Sequence, residues 1–165
     1  MNTIIREIRL EEHDLLREFL YQAIYLPEGM EPPPRSVMDL PELQVYIAHF
    51  GTRPGDHCLV AEAAEKVVGA AWCRIMEDYG HIDNATPSLA ISLLPKYRGL
   101  GIGARLLNGL LLLLRENGYH RASLSVRKEN PALHLYRRTG FHIAAERGTE
   151  YLMLWDGTKG DNWRI

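Results

Sequence analysis

The sequence has few cysteines and no long apolar run. Cys58 and Cys73 are the only thiols, so no disulfide framework holds the chain. Both fall in apolar, strand-like stretches, where a small buried thiol is the common case. No apolar run approaches the ~18 residues needed to span a bilayer. The opening, MNTIIREIRL, lacks the apolar core and cleavage site of a secretory signal. A cytoplasmic home without membrane contact is the expectation. The seven histidines show no ligand spacing, so no metal is expected. Basic residues are not interleaved with aromatics, which argues against nucleic acid as a partner.

What is present suits one soluble domain. The chain has 165 residues, 46% hydrophobic and 24% charged. The expected core spans about 3–156, with a loose tail over 157–165. The net charge of −2 hides an asymmetry. Between Lys96 and Arg138 stand nine Lys/Arg against two acids; before Lys96 stand seven against fifteen. A basic half in an acidic chain suggests an anionic ligand on one side.

The densest signal runs from Ser88 to Leu114, SLAISLLPKYRGLGIGARLLNGLLLLL. It reads as a buried strand, a stop at Pro95, a glycine-rich turn and a long apolar helix. Gly99, Gly101 and Gly103 remove side chains that would keep a ligand off the backbone. Unpaired amides at a helix start, with the partial positive charge there, make an anion site. Arg98 at its entrance offers a forked contact. The turn is read as a pyrophosphate cradle, although three glycines also make a tight turn.

Around it the periodicity predicts a strand over Thr3–Arg9 and a helix over Glu11–Ile24. A proline-rich connection or lid follows over Leu26–Pro41, then a short helix over Glu42–Phe50. Cys58–Ala63 and Val67–Met76 form an antiparallel hairpin around Ala64–Glu65–Lys66. Strand Leu89–Leu94, helix Ile102–Asn117 and strand Ala122–Arg127 make a parallel crossover. Helix Asn130–Arg138 and strands Phe141–Arg147 and Glu150–Asp156 complete an α+β fold. The order β-α-α-β-β-β-α-β-α-β-β predicts a mixed, mainly antiparallel sheet with helices on both faces.

With Arg98, Gly101 and Gly103 in the turn and Asn130, Ala132, Leu135, Tyr136, Gly140 and Phe141 downstream, the chain resembles the GNAT family of N-acetyltransferases. The resemblance covers roughly Thr3 to Asp156. It implies acetyl-CoA as co-substrate, with the amides of Gly99, Leu100, Gly101, Ile102, Gly103 and Ala104 on the pyrophosphate. It implies that Ile91, Ser92 and Leu93 pair their backbone with the pantetheine arm where the fourth and fifth strands splay. Asn130 would touch the CoA chain, and Tyr136 would be the general acid for the departing thiolate. The activity implied is direct acetyl transfer to a primary amine of a small molecule or a peptide.

Other readings of the same residues stay open. Asn130 and Pro131 also suit a helix cap and first turn, with Gly140 as the residue after the helix. Tyr136 alone reads as a packed core tyrosine. No base stands out; Glu62, Glu77, Asp83 and His81 are placed near by the hairpin and loop, and a water chain serves equally. Glu28, Glu31, Asp78 and Asp83 would favour a cationic acceptor. Open sheet edges allow a homodimer. A non-catalytic acyl-CoA sensor is one alternative. An NADP-type dinucleotide enzyme, from Gly99-x-Gly101-x-x-Ala104, is the other.

Overall fold

A computed structural model describes residues 2–158; most of the expected loose tail lies outside the described residues. Within them Gly157 is tied down, its N–H donating to His120 O at 2.6 Å and its carbonyl accepting from Arg115 at 2.6 Å. Seven strands form one sheet: β1 (Thr3–Glu7), β2 (His57–Ala63), β3 (Lys66–Arg74), β4 (Ser88–Leu93), β5 (Arg121–Arg127), β6 (His142–Arg147) and β7 (Glu150–Asp156). Their spatial order is β1-β2-β3-β4-β5-β7-β6. All neighbours are antiparallel except β4 and β5. A doubly wound dinucleotide fold requires a mostly parallel sheet, so that alternative falls.

Helices α1 (Leu16–Ala23), α2 (Pro41–Gln44), α3 (Ile102–Glu116) and α4 (Ala132–Arg138) surround the sheet. Leucines 106, 107, 110, 111 and 114 fall on one stripe of α3 and are buried on one face of the sheet. Leu16, Phe19 and Leu20 of α1 fill a second core, with Cys58, Val60 and Trp72 on the other face. Alternation along β2 explains the split: Leu59, Ala61 and Ala63 join the α3 core, Cys58 and Val60 the α1 core.

Two expected helices are shorter. Of Glu11–Ile24, only Leu16–Ala23 is α-helical; Leu10–Leu15 is a 3-10 turn. Glu12 is pinned there, accepting 2.8 Å bonds from the Arg6 guanidinium and from the Arg9 N–H. Of Glu42–Phe50, only α2 remains, and residues 45–50 are turns. The reason is a buried cation. Arg74 donates to Val45 O at 3.2 Å and Ala48 O at 2.7 Å, and the Trp72 indole donates to Tyr46 O at 3.1 Å. Those carbonyls would otherwise close the next helical turn. Arg74 is completed by a fork onto Asp56, 3.1 and 3.0 Å, with both side chains fully buried.

The proline-rich segment lies along α1. Tyr21 donates to Pro33 O, Arg35 pairs with Glu18 and covers the Tyr21 ring, and Met38 enters the α1 core.

Candidate functional site

β4 and β5 meet at one register pair, Ser88 with Ser123. The contact is reinforced by the Ser123 N–H to Pro87 O at 3.0 Å and by the Ser123 hydroxyl to Gly80 O at 2.6 Å. Past Ser88 the strands part, and the β4 edge facing β5 is without a partner strand. A cavity of about 300 Å³ lies in the gap, lined by residues of α1 and α4 as well as of both strands. Leu89, Ala90 and Ile91 line it from β4, and Leu124 to Arg127 from β5. Ser92 and Leu93 are engaged just beyond: the Ser92 hydroxyl donates to Phe19 O at 2.6 Å, and Leu93 O accepts from Arg98 at 3.1 Å.

The turn after β4 has the conformation that its composition requires. Gly99 has φ +75° and Gly101 φ +83°, and a Cβ built on either would meet nothing within 4 Å. The first bond into α3 runs from the Arg105 N–H to Gly101 O at 3.4 Å. The N–H groups of Gly101, Ile102, Gly103 and Ala104 precede it at the positive end of a 15-residue helix. Gly103 differs from the other two: its Cβ would sit 3.5 Å from Leu135 and 3.7 Å from Leu93. Arg98 turns its fork back, donating to Gln22 O and Oε1 at 3.3 and 3.2 Å. It ties the turn to the end of α1. Leu100 is exposed and Ile102 buried.

Tyr136 is buried against the cavity wall. Burial pushes its phenol up to about 12. Its position comes from the end of α4. Gly140, at φ +106°, donates to Arg137 O, and Phe141 donates to Tyr136 O at 3.0 Å. The Phe141 ring meets the Tyr136 ring edge-on at 6.0 Å. This is a Schellman termination with its apolar contact, so Gly140 and Phe141 hold the tyrosine ring. Asn130 lines the cavity while its Oδ1 accepts from the Ala132 N–H at 2.9 Å. The side-chain oxygen therefore holds the first N–H of α4, and the residue borders the cavity as well.

The four base candidates lie elsewhere. Glu62 pairs with Arg6 at 3.3 Å. Glu77 and His81 line a separate hollow, and His81 Nδ1 lies 2.8 Å from Met76 O. Asp83 pairs with Arg121 at 2.7 Å, and the bond from the Ala85 N–H, at 2.9 Å, comes first in holding its carboxyl below the ordinary range. Tyr46, Tyr79 and Glu150 line the cavity instead. Tyr46 titrates well above the ordinary phenol, through burial first and then the neighbouring Asp78. Sequence reasoning missed Glu150. Its one signal was position, at the first residue of a strand running beside the splayed one. Both thiols are buried; desolvation raises Cys58 and pushes Cys73 up to about 12. Neither is a ready acyl carrier. Among the described residues no cluster of His, Cys, Asp or Glu has metal-binding geometry, and no helix is long and apolar enough to cross a membrane.

Residues 18–141 match the acetyltransferase (GNAT) family model. The chain belongs to the GNAT family. It is 35% identical over 86 residues to the ribosomal protein bS18 alanine N-acetyltransferase of Haemophilus influenzae, a match spanning 52% of this chain and 55% of that one. The chain thus aligns with about half the length of this curated relative. Among solved structures it resembles the PaiA N-acetyltransferase of Thermoplasma acidophilum in complex with coenzyme A. There the TM-score is 0.67 at 20% identity, over 94% of this chain and 99% of that one. It also resembles the ribosomal-protein-S18-alanine N-acetyltransferase of Escherichia coli, with TM-score 0.66 at 17% identity over 98% of each chain. These structures share the GNAT fold, as the sequence resemblance implied.

Proposed function

We propose that this GNAT chain moves an acetyl group from acetyl-CoA directly to a primary amine. One observation supports it most: a bare, amide-lined helix start follows an unpaired strand edge, and a buried phenol lines the gap that this edge borders. Leu135 packs beside Gly103 and its neighbour Tyr136 lines the cavity, so the turn and the phenol are linked through adjacent residues.

Acetyl-CoA fits what is there. The open space over Gly99 and Gly101 admits a pyrophosphate, and the amides from Gly99 to Ala104 supply its donors. The edge of β4 from Leu89 to Leu93, whose Leu93 carbonyl already accepts from Arg98, offers its remaining backbone groups to an amide-bearing arm as a strand would. Asn130 adds a polar contact on the opposite wall. When bound, the co-substrate supplies a thioester already activated for acyl transfer. Tyr136 stays protonated at neutral pH, which is the state a general acid needs to protonate a departing thiolate. The relative from Haemophilus influenzae is named for a peptide amine, and that supports a small or peptide amine as acceptor. Asp78 is the one acid of the four first considered that neighbours the acceptor end.

The test is thiol release from acetyl-CoA across a panel of amines, with acetyl-CoA and NADPH titrated separately. Amine-dependent release and binding of acetyl-CoA alone are expected. Tight CoA binding with no amine raising turnover above hydrolysis would overturn the enzyme reading in favour of a sensor.

A further inference from the structure

Glu150 is the one carboxylate in the cavity wall. It opens β7 opposite Arg127 of β5 and Arg147 of β6. Directly paired residues share a face of a sheet, so two arginines flank it. Neither takes it. Arg127 closes on Glu129 at 3.1 and 2.9 Å, and Arg147 donates to Tyr79 O at 3.5 Å. Among the described residues Glu150 forms no ion pair; its contact is the Ser125 hydroxyl, donating to Oε2 at 3.2 Å. A half-buried carboxylate that leaves two adjacent guanidinium groups to other partners is available to a cation from outside. The surrounding wall selects one, since the aromatic faces of Tyr46 and Tyr79 also favour cations.

We infer that Glu150 receives the ammonium of the acceptor and takes its proton, with Ser125 positioning the carboxylate; this rests on the acetyl-transfer reading above. The ammonium gives one proton to Glu150, which passes it to solvent. The freed nitrogen lone pair bonds to the acetyl carbon, and the carbon–sulfur bond breaks. Tyr136 protonates the departing sulfur, and the second proton lost by nitrogen restores the phenol. Glu150 and Tyr136 line one cavity, so one group serves each partner. The other titratable and charged groups around Glu150 are Arg127, Arg147, Tyr46 and Tyr79, with Asp78 next to Tyr46. Neutralising Glu150 removes the carboxylate of the cavity wall and leaves Arg127 and Arg147 beside it, with Asp78 next to Tyr46 as the nearby acid, so an ammonium is held less well.

The experiment compares the wild type, Glu150→Gln, Glu150→Asp and Ser125→Ala on the best amine of the panel, across pH, with each fold confirmed by its melting curve. For Glu150→Gln the KM for amine should rise and kcat/KM fall by about 10²-fold, the scale of a positioned base. The KM for acetyl-CoA should stay within about two-fold, because no CoA contact is altered. The rate profile of Glu150→Gln should move toward alkaline pH, where the amine is already neutral. Glu150→Asp should recover part of the loss, and Ser125→Ala should show a smaller version of it. A Glu150→Gln profile superimposable on the wild type overturns the inference and leaves acetyl transfer standing. A wild type that turns over no amine overturns both, and that outcome is read from the wild type alone.

Discussion

The glycines of the turn should respond to alanine with opposite signs. Gly101 has φ +83° and open space where a side chain would stand. Gly101→Ala therefore meets no clash within the protein and incurs only the left-handed backbone penalty, about 1–2 kcal/mol. Gly103 lies in the first turn of α3, and its Cβ would rest at 3.5 and 3.7 Å from Leu135 and Leu93, ordinary contact. Gly103→Ala gains helix propensity, up to about 1 kcal/mol. At roughly 2–4 °C per kcal/mol for a domain of this size, Tm should fall by about 2–8 °C in the first and rise by up to about 4 °C in the second. Thermal melts of the free proteins read both shifts. Calorimetry with CoA then separates stability from ligand. The methyl of Gly101→Ala projects into the space proposed for pyrophosphate, so affinity should fall by more than tenfold. The methyl of Gly103→Ala points at leucine side chains, so affinity should stay within about two-fold. Equal binding by wild type and Gly101→Ala would refute the cradle; a destabilised Gly103→Ala would refute the geometry of the turn.

Tyr136→Phe keeps the ring against Phe141 and removes the proton; kcat should fall by about 10²-fold or more with CoA affinity unchanged, and an unaltered kcat would dismiss the phenol as acid. Arg74→Leu leaves Asp56 buried without its cation and Val45 O and Ala48 O without donors, so urea titration should show a loss of about 3–5 kcal/mol. Removing Asp56 as well should restore part of it, and a loss under about 1 kcal/mol would contradict the buried pair. The bond from Arg6 holds the Glu12 carboxyl down to about 2 against an ordinary 4.5. Its folded value lies below the unfolded one, so its stabilisation is complete above about pH 4.5 and disappears as pH falls toward 2. Glu12→Gln should be less stable at neutral pH and lose less between those limits, as urea midpoints measured against pH will show.

Much of the fold was legible because local signals agreed with global ones. The α3 stripe, the Ala64–Glu65 turn with both φ angles positive, and Gly140 after α4 all record interactions within a few residues. The parallel crossover followed from connection length. The helix over 42–50 misread because its end is decided by Arg74, nearly thirty residues away, and no local pattern announces a guanidinium that captures its carbonyls. The site divided in the same way. The turn and Tyr136 announce themselves in linear motifs. Glu150 acquires meaning only when β7 is laid beside β5, since its neighbours in the chain, Thr149 and Tyr151, say nothing of a cavity.

The meeting of β4 and β5 at a single residue pair has a mechanical consequence. The molecule is two plates clasped at one corner, each turning an unsatisfied rim toward the other. Exposed rims of this kind invite foreign strands, yet here they face inward, where a guest carrying its own amides can lace them together. Such a guest acts as a rung as well as a reagent, so the loaded protein should be the stiffer object. Amide exchange along Leu89–Leu93 should slow on loading, while β1 and β2, far from the clasp, stay as they were.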